Sequence, residues 1–152
     1  MKINRTIAET AEEFFASMAQ AAEQPVSLHD GLVACEQIVT DGLEANFDAA
    51  QTSQGVPWAP HAPATIAAYG PHPLLILSGA MKAAALGGTG GVRRISEDQL
   101  DVAISLDVIP YAGAQNFGTD HIPQREFMDF SEAVLDECEE LLVADFLQEA
   151  FA

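Results

Sequence analysis

A chain of 152 residues with 49% hydrophobic and 19% charged residues has the size and composition of one folded domain, which at that length buries roughly 70% of its unfolded surface. Its 23 acidic residues face 6 basic ones, a formal charge of −17. That balance argues against a general binder of nucleic acid or anionic membrane, because both need a positive footprint. The charge is also segregated: residues 1–48 and 97–152 are strongly acidic, whereas residues 49–96 hold no carboxylate and carry Lys82, Arg93 and Arg94.

In chain order, Thr6 followed by Glu9 is a capping-box pattern, and Ile7, Ala11, Phe14, Phe15, Met18 and Ala22 recur at helical spacing. Pro25 interrupts that helix. Ser27 and Asp30 open a second one with the stripe Leu28, Leu32, Cys35, Val39, Leu43 and Phe47, so residues 1–50 are expected to form a helical hairpin. Residues 51–91 read as a Pro/Gly-rich connection with short helices. Pro57 to Pro63, around Trp58, and Gly70-Pro71-His72-Pro73 are expected to run extended over the surface, and Ser78-Gly79 to cap a short helix through Leu86. Gly87 to Gly91 has no anchoring side chain and is expected to be a mobile loop that orders in an assembly.

Residues 92–130 form the sheet and turn region. Leu100, Val102, Ile104 and Leu106 alternate with Asp101, Ala103, Ser105 and Asp107, the period of a strand with one buried face. Val92 to Ser96 is its predicted antiparallel partner across Glu97-Asp98. From Ser131 a C-terminal helix carries Val134, Leu135, Cys138, Leu141, Leu142, Phe146 and Leu147 as its apolar stripe. The expected fold is therefore α+β: an N-terminal helical hairpin and a C-terminal helix packed on a small antiparallel sheet, one domain over 1–152.

Catalytic chemistry finds little footing. The glycine run lacks a following Gly-Lys-Ser/Thr and leads into a strand where phosphate binding needs a helix N-terminus. His29, His61, His72 and His121 are scattered, and Cys35 and Cys138 suit buried reduced thiols, so no catalytic residue, metal site or cofactor is assigned. Met1 to Thr10 has no apolar stretch behind its basic residues, and no apolar run reaches a membrane span of about 18 residues. A cytosolic chain is the expectation.

Four segments, taken in order, carry a resemblance. They are Trp58-Ala59-Pro60 with Pro63-Ala64-Thr65; Leu74-Leu75-Ile76-Leu77-Ser78-Gly79-Ala80-Met81; Tyr111-Ala112 leading to Asn116-Phe117-Gly118; and Ile122-Pro123-Gln124-Arg125-Glu126-Phe127-Met128. In this order the sequence resembles the phage virion morphogenesis or tail-completion family. It departs from the family pattern at Gln124 and Glu126 beside the arginine, at Gln115 and Asn116, and at Ser78, where the family has a threonine. The resemblance implies an α+β fold without enzymatic activity, self-assembly into a homo-oligomer such as a ring, and partners among tail and head-completion proteins. It also implies assembly in the host cytoplasm and residence in the virion of a phage or prophage.

The residues have a physical logic of their own. Trp58 among prolines is a rigid apolar plate, buried under the sheet or presented to a neighbour, with burial favoured. Arg125 stands among Asp120, Glu126 and Asp129, suited to a carboxylate pair that is buried, interfacial or solvated. Trp58, Tyr111, Phe117, Arg125 and Phe127 are the scaffold or contact candidates, and Arg93 and Arg94 are placed on a surface hairpin able to meet an acidic partner. The competing reading is an acidic DNA mimic or other inhibitor, motivated by the charge and opposed by the carboxylate-free middle segment.

Overall fold

The computed structural model of the protein describes Ala16 and residues 27–150. The first arm of the predicted hairpin, with Thr6, Glu9 and Pro25, lies outside the described residues. Among the described residues the architecture is an α+β arrangement of five helices and one two-stranded antiparallel sheet: α1 (His29–Ala49), α2 (Pro63–Tyr69), α3 (Ala80–Ala85), β1 (Gly91–Ile95), β2 (Leu100–Ile104), α4 (Ala112–Phe117) and α5 (Glu132–Ala150).

Helix α1 follows its predicted stripe, burying Leu32, Cys35, Val39, Leu43 and Phe47 at intervals of three and four residues. Ser27 Oγ accepts the His29 N–H at 3.2 Å, and Asp30 places a negative charge in the first turn, where the helix dipole favours it. Helix α5 begins where Ser131 Oγ accepts the Val134 N–H at 3.2 Å. It lies antiparallel on α1, since Gly31 meets Leu142 and Asp145, Cys35 meets Cys138, and Gly42 meets Val134. The approach is close enough that a Cβ on Gly42 would stand 2.8 Å from Val134 Cγ2.

The α5 stripe is narrower than expected. Val134, Leu141 and Leu142 pack with Cys138 against α1, whereas Leu135, Phe146 and Leu147 are exposed. Among the described residues α1 is the helix packed on α5, and it covers only part of the arc over which those side chains spread.

In the sheet, Arg93 pairs with Val102 and Ile95 with Leu100, and the predicted polar turn closes with the Ser96 N–H on the Gln99 carbonyl at 2.9 Å. β2 stops at Ile104, two residues short of the predicted end. There the Ser105 N–H is drawn to the Gly90 carbonyl, the Val108 and Ile109 N–H groups turn back to Ser105, and Leu106 is left 55% exposed. The core has two parts. One gathers Phe47, Trp58, Met81, Ala84, Ala85, Ile109, Ala112 and Phe127; the other gathers Cys35, Val39, Leu43 and Cys138, and Met128 packs against both.

Residues 63–69 form a short helix between the two proline stretches, because Pro63 sits at the first helical turn, where its fixed φ suits the helix and its missing N–H costs nothing. One expectation for residues 51–91 is corrected: Gly87 to Gly91 is a close-packed turn and not an open loop. The Gly88 N–H bonds the Ala83 carbonyl at 2.7 Å and the Gly91 N–H bonds Gly88 at 2.8 Å. A Cβ on Gly91 would fall 2.3 Å from the Ala84 oxygen, so the absence of side chains is what lets this segment pack against α3.

Candidate functional site

Three of the four segments singled out in the sequence are knitted together by their polar groups, and the fourth, Leu74 to Met81, joins them by apolar packing against Trp58, Ala112 and Phe127. Arg125 Nε donates to the Ala59 carbonyl at 2.8 Å, Nη2 to the Pro60 carbonyl at 2.9 Å and Nη1 to Gln115 Oε1 at 3.2 Å. Trp58 Nε1 donates to the Glu126 carbonyl at 3.0 Å. Asn116 Oδ1 accepts the N–H groups of both Phe127 and Met128, at 3.0 and 2.9 Å, and Asn46 Nδ2 donates to the Phe127 and Asp129 carbonyls. These bonds hold irregular backbone whose groups would otherwise be buried without partners.

Packing completes the junction. Phe47 meets Trp58 edge-on at 5.6 Å between ring centroids and lies 5.3 Å from Phe127, a side chain with no exposed surface. Above them opens a cleft of about 710 Å³. α2, with Pro60 to Ala62 before it and His72 after it, forms one wall, Leu75 to Gly79 another, and Tyr111, Gln115 and His121 to Pro123 the third, with Arg125 among the lining residues.

The cleft has three notable properties. No lining residue is acidic, although the chain carries 23 carboxylates. It brings together His61, His72 and His121, which the sequence reading treats as scattered. His61 Nε2 lies 3.2 Å from the His72 carbonyl and His72 Nδ1 lies 2.8 Å from the Gly70 carbonyl, so both nitrogens carry protons, and the rings stand 4.2 Å apart. Lastly, the wall residue Leu75 has φ 61°, a left-handed conformation that a leucine adopts at a cost of about 1–2 kcal/mol.

Arg125 departs from the sequence reading in its partner. It is 7% exposed, and among the described residues no carboxylate lies in salt-bridge range; carbonyls and an amide hold it instead. Burial pulls its pKa below the ordinary value, yet a guanidinium keeps its charge. Three of its five N–H groups are used, which leaves two for a ligand or partner.

The remaining candidates are distributed unevenly. Trp58 and Phe127 are core residues, while Tyr111 and Phe117, at the two ends of α4, are 45% and 74% exposed. Arg93 is corrected. Its side chain is only 11% exposed, turned beneath α3 so that Nη2 donates to the Ala85 carbonyl at 2.6 Å, with Nε 3.8 Å from Glu36. Burial lowers its pKa and Glu36 opposes that shift. Arg94, the next residue, faces solvent as strand alternation requires. Lys82 is paired with Asp48 at 2.7 Å. No known family model, curated protein or solved structure matches the chain.

Sequence reasoning missed the cleft because its lining comes from residues up to 65 positions apart, joined by main-chain acceptors that no side-chain motif displays. One signal was present: the carboxylate-free stretch from Ala49 to Ser96 supplies two of the three walls.

Proposed function

We propose that the protein is a structural virion component of a phage or prophage that acts in tail completion and head-tail joining through oligomeric assembly. The observation that carries this reading is the convergence of the four resemblance segments on one cleft, three of them tied to each other through Arg125, Trp58 and Asn116 and the fourth packed against them. Residues that support the resemblance in sequence thus form a single structural unit, as a shared scaffold requires. Its rim presents Tyr69, Leu77 and Tyr111, which are 64%, 59% and 45% exposed, with Phe117 at the far end of α4. Aromatic side chains supply contact area at low entropic cost, a property suited to subunit contacts. In this reading the chain performs no reaction, assembles in the host cytoplasm and remains in the particle. Deleting its gene from the phage or prophage and viewing the induced lysate by electron microscopy tests it. Heads and tails left unjoined are expected; particles of normal form and titre would overturn the reading.

A further inference from the structure

The cleft and the outer face of α5 are complementary. The cleft is apolar at its rim, lacks carboxylates and holds a buried guanidinium with two N–H groups to spare. α5 carries seven carboxylates and no basic residue, and it exposes apolar side chains between them. Glu139 lies four residues after Leu135 and four before Val143, so the three share one helix face, with Leu135 and Val143 52% and 51% exposed. Resting on the assembly reading above, we infer that the cleft receives α5 of a second copy, Glu139 reaching Arg125 while Leu135 and Val143 cover Leu77 and Tyr111.

Charge supports this choice of occupant. A neutral or basic segment would leave Arg125 buried without a counter-ion, whereas α5 supplies one together with apolar surface. The guanidinium fork suits a carboxylate, and closing the apolar rim would shield the pair from solvent. The two surfaces belong to different parts of one chain, so copies can join head-to-tail as well as reciprocally, and the head-to-tail arrangement is the one inferred. The growing assembly keeps one free cleft at one end and one free helix at the other, and such contacts build rings when the rotation closes.

Sedimentation velocity of the full chain tests the contact with two substitutions at exposed positions, Leu77→Asp in the cleft and Glu139→Lys on α5, each checked for native circular dichroism. The wild type is expected to form species larger than a dimer. Either variant alone should associate at least tenfold more weakly. An equimolar mixture should form a one-to-one dimer and nothing larger, because one intact cleft and one intact helix remain. A monomeric wild type, variants that assemble normally, or a mixture that stays monomeric would each overturn the contact. None of these outcomes depends on the deletion phenotype, so this contact and the virion reading fail separately.

Discussion

Adjacent arginines in β1 show how much one side chain's direction decides. Arg93 lies beneath α3 with its Nε buried and without a hydrogen-bond partner, 3.8 Å from the Glu36 carboxylate, while Arg94 is solvated. Arg93→Glu sets two carboxylates against each other and removes the donor to Ala85, so it should cost about 3 kcal/mol or more, whereas Arg94→Glu should stay within about 0.5 kcal/mol. Urea unfolding of the two single variants reads the difference. Asn116 is a second sensitive position: Asn116→Ala strands the Phe127 and Met128 N–H groups and should lower stability by about 1–3 kcal/mol. The thiols add a dependence on pH. Burial, then the neighbouring Cys35, pushes Cys138 up from its ordinary 9.0 to about 12. The folded state therefore keeps a proton that the unfolded state gives up, so this contribution is complete below about pH 9 and is lost as pH rises toward 12. Denaturant midpoints between pH 8 and 11 should fall, and less steeply in Cys138→Ala.

Periodic elements were legible in the sequence and irregular ones were not, for a physical reason. α1, the hairpin of β1 and β2, and the start of α5 follow from apolar period, turn residues and a serine cap, all local signals. The glycine turn was misread because its packing depends on the Ala83 and Ala84 carbonyls at the end of α3, a tertiary contact. Composition indicated freedom where the fold requires closeness. Gly91→Ala forces its Cβ onto the Ala84 oxygen and should destabilise by more than about 2 kcal/mol, well beyond what a helix or strand propensity change produces. Amide exchange supplies a second check: the Gly88 and Gly91 N–H groups should be protected, whereas an open loop would exchange them at once. The cleft was legible only in pieces. Trp58 could be assigned to the core from its chemistry, but nothing in the order of residues reveals that Arg125 is held by carbonyls 65 and 66 positions earlier.

The chain as a whole is an acidic body with a carboxylate-free cleft. A formal charge of −17 opposes association at long range, so subunits can meet only where local contacts outweigh that repulsion. The cleft and the acidic, partly apolar α5 provide such contacts on two separate surfaces. Under the proposed function, this cleft is the surface through which the protein completes particles. That claim is tested most directly by adding purified chain to unjoined heads and tails from a gene-deleted lysate and counting infectious particles. Wild-type chain should restore the titre and Leu77→Asp chain of native fold should not. Failure of the wild type to restore it, or equal restoration by the variant, would contradict the account.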